Sequence, residues 1–428
     1  MTILKGLARL APLAAALAGG PALATNGYFP HGYGMKALGM GGASTAMAQD
    51  SMGGATNPAS MVWSGNRFDV GVNVFSPRRD AARSAAAMPS LNGFVESDSE
   101  WFLVPEGGYN RMIGNNLSVG VTVYGNGGMN TDYPGGGFNC GQGPANILCG
   151  QGSLGVDLMQ LIVAPTVAWK FNERHSVGAS LLLGYQRFKA EGIHAFAGMP
   201  GFSQAPANVT NVGSDSSRGV GVRLGYFGRL TDSFDVGLAY SPRMRMSEFD
   251  KYRGLFANNG DFDIPEHLGL GVAFRPAPNW TLAADYERIK YSGVPSVGRA
   301  SMPQAPLGSA GGPGFGWRDI DVFILGAAWQ MTPQWTVRAG YNRSENPVQP
   351  ADVSFNILAP GVMKSHYTAG FTYAMAGNSE ITAAFMYAPR VSVTGPSLMD
   401  AMFGPGGGGT ETVRMRQFSA GVSWGKKF

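Results

Sequence analysis

The chain has 428 residues, of which only 14% are charged and 64 are glycine, with a net charge of +4 and a mean hydropathy of −0.04. Soluble proteins carry roughly 25% charged residues and about half this share of glycine, so the composition argues against an ordinary soluble enzyme. Beyond the N-terminus no apolar run approaches the roughly 18 residues of a spanning helix, which excludes a helical membrane protein, and the weak, dispersed positive charge implies no nucleic-acid partner. What remains is a chain of alternating strands whose two faces meet lipid and a lumen.

The N-terminus reads as a signal peptide. Lys5 and Arg9 precede an apolar stretch from Leu10 to Leu17, then a Gly19-Gly20-Pro21 break and Ala22-Leu23-Ala24. This small-residue pattern predicts cleavage after Ala24, and the apolar core is too short to serve as a membrane anchor. Residues 25–66 differ from everything downstream. They are punctuated by glycine (Gly32, Gly34, Gly39, Gly41, Gly42, Gly53, Gly54) and show no strand alternation, so they cannot form wall. Tyr28, Phe29, Tyr33, Met35, Leu38, Met40 and Trp63 supply apolar contacts that a disordered leader lacks. The segment is therefore expected to be an N-terminal plug. Within it Asn57-Pro58-Ala59 is a helix start, since Asn can cap a backbone N–H and Pro suits the first helical position.

From Arg67 onward the sequence alternates apolar with small or polar residues, the period-2 signature of strands with two different faces. Val220, Val222, Leu224 and Tyr226 oppose Gly221, Arg223, Gly225 and Phe227; Leu268, Leu270, Val272 and Phe274 oppose His267, Gly269, Gly271 and Ala273. The pattern predicts strands near 67–75, 101–109, 117–124, 156–170, 176–190, 218–229, 234–247, 264–275, 280–291, 318–330, 335–344, 364–375, 380–391 and 412–428. A soluble sandwich would also alternate, so the connections decide. Short turns (110–116, 171–175, 230–233, 276–279, 331–334, 376–379) alternate strictly with long loops. An even number of strands, tight turns at one end and long loops at the other describe an all-β, transmembrane antiparallel barrel, here of about 14 strands over residues 67–428. The last strand carries an apolar face (Phe418, Ala420, Val422, Trp424) up to the terminal Phe428, interrupted only by Lys426, which can snorkel to the headgroups.

The only cysteines, Cys140 and Cys149, lie in a Gly-rich segment of an outer loop. Export to an oxidising compartment favours a loop-closing disulfide over a metal pair. His31, His175, His194, His267 and His366 show no metal-ligand spacing, and neither G-x-S-x-G nor H-E-x-x-H occurs. No enzymatic activity, metal or cofactor is expected, and His267 reads as a lumen-facing polar residue.

The plug contains Gly34-Met35-Lys36-Ala37-Leu38-Gly39-Met40-Gly41-Gly42-Ala43, Ala48-Gln49-Asp50-Ser51 and Ala55-Thr56-Asn57-Pro58-Ala59-Ser60-Met61. This run resembles the hatch of the FadL/TodX family of outer-membrane transporters for fatty acids and other hydrophobic compounds. Ile264-Pro265-Glu266-His267-Leu268-Gly269-Leu270-Gly271 resembles the family's mid-barrel pattern. The resemblance implies a bacterial outer-membrane protein taking up a hydrophobic small molecule, with membrane lipid around it and a monomeric barrel. It implies capture in an apolar groove among outer loops, passage beside the hatch (with Asn57, Pro58 and Ala59 in its signature), and sideways exit at an inward kink of the third strand. By analogy the kink falls at Gly125, Asn126, Gly127 and Gly128. Glycine within a strand pattern marks a bulge or bend, although the same residues also suit an ordinary strand end running into a loop. Should the ligand be a fatty acid, Arg223 and Arg338 are candidates to meet its carboxylate, each being on the small or polar face of its strand. The competing reading pairs them with Asp285, Asp319 or Asp321. A general diffusion porin for small polar solutes is the alternative function, one that accounts for the barrel but not for the plug.

Overall fold

The computed structural model describes residues 26–302 and 305–428; the expected signal peptide, residues 1–24, lies outside them. Fifteen strands form one antiparallel sheet, and fourteen of them make a closed wall. In chain order these are β1 (Arg67–Ser84), β2 (Phe102–Ile113), β3 (Leu117–Tyr133), β4 (Leu154–Lys170), β5 (His175–Glu191), β6 (Asp215–Arg229) and β7 (Phe234–Ser241). They continue as β8 (Glu266–Ala277), β9 (Trp280–Lys290), β10 (Ile320–Gln330), β11 (Trp335–Ser344), β12 (Ser365–Met375), β13 (Ser379–Pro396) and β14 (Thr410–Lys427). The fifteenth, Gly93–Glu96, only extends the outer end of β1. Closure is complete: β14 pairs with β1 from Arg67–Lys427 to Ser84–Thr410. A closed ladder removes the strand edges that lipid could not satisfy, except along β3 beyond Val123, where the β2 ladder stops.

Alternation becomes burial in the expected sense. Val220, Val222 and Leu224 are exposed on the outer face while Arg223 between them is buried, and Leu270, Val272 and Phe274 are exposed likewise. Since an apolar side chain facing outward gains only against lipid, the exposed belt marks the membrane zone. Its periplasmic rim carries Trp169, Trp335, Trp424 and Phe428, with Trp280 and Trp329 stacked 5.4 Å apart, and its outer rim Trp101, Tyr367 and Tyr387. Such aromatic girdles suit the two membrane interfaces.

Several strands differ in length from the sequence reading. β1 runs on to Ser84, β3 to Tyr133 and β13 to Pro396, whereas β7 stops at Ser241. The first three continue beyond the apolar belt, where the outward face turns polar while Met129, Tyr133 and Val393 are buried on the other face, so the apolar-out alternation of the wall is lost. After β7 the chain turns into the lumen, and Met244 and Met246 pack over the inner faces of Gly184 and Gly219.

Residues 26–66 lie inside the barrel and make no wall strand. Short helices (Met35–Leu38, Ser51–Ala55, Pro58–Ser60 and Met61–Ser64) are joined by turns and bends whose side chains are almost all buried. Glycines of the wall allow the close approach. A Cβ on Gly178 or Gly225 would run into Pro58, Ala59 or Asn57, and one on Gly340 into Met40. Much of the excess glycine is thus the inner face of strands against which another backbone lies flush.

Candidate functional site: the hatch, the wall gap and an apolar crevice

The hatch is held by polar groups that the wall points inward. Asp285 Oδ2 accepts the backbone N–H groups of Ser44 and Thr45, both at 2.8 Å, and Glu106 accepts that of Gly34 at 3.0 Å. Lys36 Nζ pairs with Glu380 at 2.6 Å; Arg67 pairs with Asp69 and Glu380, and Asp69 in turn accepts from the N–H and hydroxyl of Ser51. Asn57 is fully buried: its Oδ1 accepts from the Ala59 N–H at 3.1 Å, while its Nδ2 donates to the carbonyls of Thr45 and Tyr226 at 2.8 Å each. The residue that starts the Pro58 turn therefore also ties two parts of the hatch to β6. At the periplasmic end Trp63 donates to Ser176 Oγ and lies under Lys170 and Arg229, whose cations sit 3.9 and 4.1 Å from its ring centre.

Neither candidate arginine is paired with the aspartates weighed as its partners, and both lie against the hatch. Arg223 is buried and donates from Nε to Ser241 and from Nη1 to the Ala55 carbonyl of the hatch. Arg338 donates to Thr372 Oγ1 at 2.7 Å and lies beside Gly39 of the hatch. The aspartates weighed as their partners are engaged elsewhere: Asp285 with the hatch, Asp321 with Tyr286 and Arg288, Asp319 with Ser292 and Arg288. His267 faces the lumen, 3.4 Å from Glu287, with its ring 6.1 Å from that of Phe29.

The Gly125–Gly128 stretch is interior to β3. On the β4 side the register slips by one residue between Gly125 and Gly127, leaving Asn126 as a bulge whose side chain donates to Gln160 and accepts from Tyr33 of the hatch. On the β2 side the ladder ends at Gly107–Val123, so that Phe102–Glu106 of β2 pair only with β1 and β3 beyond Val123 has no ladder partner there until Asp132, which bonds Ser97 and Asp98 ahead of β2. The freed strand leans on the hatch instead: Gly128 N–H donates to the Tyr28 carbonyl at 3.2 Å, and a Cβ on Gly127 would strike that same oxygen. Glycine here is a requirement of close approach. A cavity between His31, Gly32 and Tyr33 of the hatch and Val104, Glu106 and Tyr124 of the two strands adjoins the unpaired stretch.

Above the hatch an apolar crevice lies among the outer loops, lined by Phe188, Phe196, Phe256, Leu307, Phe315 and Phe355 among others, with Ser296 the one polar side chain among the described residues. Only about 30 Å3 is open to the centre of a water-sized sphere, so a ligand must part the side chains to enter. Aromatic contacts run from it to the hatch: Phe188 to Phe256 at 4.7 Å, Phe256 to Phe262 at 4.9 Å, and Phe262 to Tyr28 at 6.1 Å. Tyr28 also packs on Tyr291 and Trp317, and the Tyr291 hydroxyl donates to the Asn26 carbonyl at 2.5 Å. Cys140 and Cys149 are joined in the loop between β3 and β4, with Cα atoms 5.7 Å apart, and Ile147 and Leu148 inside that loop are buried against the same core. Sequence reasoning missed the crevice because its residues come from six separated segments. The available signal was the aromatic richness of the outer loops, which solvent-exposed loops do not need.

A closed barrel with polar clamps on an internal hatch and apolar surface both outside and in its mouth defines an outer-membrane transport barrel. The chain belongs to the family described as Outer membrane protein transport protein (OMPP1/FadL/TodX), whose model matches residues 14–397. Its members include outer-membrane transporters of hydrophobic compounds, and the protein is placed with them in the bacterial outer membrane. The fold is shared with the Pseudomonas putida toluene transporter TodX (20% identity, TM-score 0.68, 93% of this chain and 99% of that one). It is shared also with a Pseudomonas aeruginosa FadL homologue (16%, TM-score 0.68, 94% and 100%) and with the Ralstonia pickettii toluene transporter TbuX (19%, TM-score 0.63, 93% and 99%). No curated protein matches the sequence.

Proposed function

We propose that the protein takes up an uncharged, apolar small molecule by a side exit. The ligand enters the loop crevice, displaces the hatch segment around Tyr28, and leaves between β2 and β3 into the lipid. The observation that carries this reading is the end of the β2–β3 ladder at Gly107–Val123, directly beside the hatch. Unpaired backbone at membrane depth is costly unless another group satisfies it, and the hatch supplies the Tyr28 carbonyl to the Gly128 N–H, while Tyr33 holds the Asn126 side chain. A wall gap delivers an apolar solute to a phase it already prefers, whereas a hole through the hatch would deliver it to water.

The ligand class follows from the crevice. No basic side chain lines it among the described residues, so its affinity comes from apolar burial, roughly 0.8 kcal/mol per CH2. A neutral hydrocarbon or monoaromatic suits this lining better than a carboxylate, and the toluene transporters of like fold fit that choice. Arg223 and Arg338, in this reading, position the hatch and leave the ligand alone. We further take residues 1–24 as a leader removed after Ala24, residues 25–66 as the hatch, and Asn57, Pro58 and Ala59 as its fixed lower part. A general diffusion porin is less well supported, since Trp63 and its cations occupy the periplasmic end of the lumen.

The test is uptake of radiolabelled toluene into proteoliposomes by the purified full-length protein and by Gly127→Val/Gly128→Val, with gel mobility before and after heating to show that both barrels fold. The variant should take up toluene severalfold more slowly. Unchanged uptake would exclude this exit, and sugar permeation typical of an open pore in the unmodified protein would exclude the transporter reading.

A further inference from the structure

Outward-facing residues of β14 change character abruptly at the outer edge of the lipid belt. Below lie Phe418, Ala420, Val422 and Trp424; above lie Arg416 and Arg414, separated by the buried Met415. Arg78 of β1 is the direct cross-strand neighbour of Arg416, and Arg414 is that of Asp80. On the other side of β14 the β13 ladder bulges between Ala388 and Val391, which places Arg390 next to this group, paired with Asp80. Four guanidiniums thus share one patch with three carboxylates, Asp80, Glu100 and Glu96, the last being the cross-strand neighbour of Asp80. Asp80 is taken by Arg390 and by Arg414 at 2.9 Å, Glu100 is taken by Arg78, and Arg416 has no carboxylate partner among the described residues.

Two like charges directly opposite each other across a strand pair destabilise it unless an anion lies between them. Arg78 and Arg416 are such a pair, and the carboxylates in reach do not neutralise the patch. Immediately below is an open groove of about 570 Å3 on the lipid-facing side, lined by Val74, Trp101, Tyr367, Phe385, Tyr387 and Phe418. Trp101 belongs to both features: it walls the groove, and the Arg78 guanidinium lies 5.5 Å from its ring centre. The strand direction puts the patch at the long-loop end of the barrel, hence at the outer leaflet.

We propose that this patch and groove form a binding site for a phosphorylated glycolipid of the outer leaflet, lipid A, with a phosphate between Arg78 and Arg416 and an acyl chain in the groove. Arginine presents a planar fork that suits phosphate oxygens, and four of them spread over two levels of the wall fit a headgroup with two phosphates better than a headgroup with one. The site is independent of how the transported ligand crosses the wall. It anchors the outer end of β1, the strand through which the barrel closes.

Native mass spectrometry of the detergent-purified full-length protein, titrated with lipid A or with phosphatidylglycerol, tests the site. Lipid A should bind the tighter of the two. Arg78→Gln/Arg416→Gln should weaken lipid A binding about tenfold or more, the equivalent of one or two charge-assisted hydrogen bonds, while Arg416→Lys should retain part of it. Should the double variant fail to form a heat-resistant barrel, Arg416→Gln alone serves, because it breaks no ion pair; it should lose about fivefold. Undiminished lipid A binding in the folded variant would overturn the site, and phosphatidylglycerol binding as tightly as lipid A would overturn the assignment of the lipid.

Discussion

Tyr28→Ala is the sharpest probe of the coupling between crevice, hatch and wall. Tyr28 is completely buried, with four ring neighbours (Phe29, Phe262, Tyr291 and Trp317) at centroid distances of 5.2–6.1 Å. Truncating a buried aromatic to alanine costs about 3–5 kcal/mol. The wall does not depend on this ring, since its strands are held by their own ladders, so the loss falls on docking of the segment around residues 26–34. At about 1.4 kcal/mol per tenfold, local opening of that segment should become roughly 10²–10³-fold more frequent. Amide hydrogen exchange on the purified protein reads this directly: protection should fall at residues 26–34 and at Gly128, whose N–H is held by the Tyr28 carbonyl, and hold elsewhere in the wall. Toluene uptake should rise at the same time, because the aromatic chain that closes the way from the crevice to the hatch is broken. Unchanged exchange at residues 26–34, or protection lost evenly through the barrel, would refute the argument that this ring latches a locally opening segment.

Three further outcomes are expected. Asp285→Asn replaces a carboxylate that accepts from both Ser44 and Thr45 and should destabilise hatch docking by about 1.5–3 kcal/mol, seen as faster exchange at those two amides with the barrel's heat resistance intact. His31, buried and stacked on His366 at 5.5 Å, is held down at about 4 by burial; its neutral form is the docked one, so docking is strongest above the usual histidine value near 6.5 and weakens as pH falls from there toward 4, by at most about 3 kcal/mol. Exchange at residues 26–34 followed against pH should show this loss, and His31→Phe should flatten it. Breaking the Cys140–Cys149 bridge with Cys140→Ser/Cys149→Ser removes a short-loop constraint worth roughly 2.5–3 kcal/mol, which should expose residues 134–153 to protease while the wall stays resistant.

Much of this architecture was legible in the amino-acid order because lipid imposes a rule that sequence can display. Each wall strand must turn apolar residues outward at period two, and Val220-Val222-Leu224 and Leu268-Leu270-Val272-Phe274 do so without reference to any distant residue. Turn length sorted the two ends of the barrel for the same local reason. Strand ends were poorly legible where the rule lapses: β1 and β3 continue past the belt with polar residues on their outward face, and the register slip at Asn126 depends on what β2 and the hatch do, so the glycines there suited a bend and a strand end equally.

Only the tertiary structure decided the contents of the lumen. Arg223 and Arg338 were recognisable as inward-facing, but whether a lumen arginine meets a ligand, an aspartate or a hatch carbonyl depends on which backbone comes within 3 Å of it, and the Ala55 carbonyl and the neighbourhood of Gly39 arrive from more than a hundred residues away in the chain. The same holds for the crevice, whose lining residues converge from six segments, and for Arg78 and Arg416, which become opposed like charges only when β14 returns to close on β1. Alternation is a property of neighbours in sequence and can be read there. Convergence is set by barrel closure and by the path of the hatch through it, which long-range packing determines.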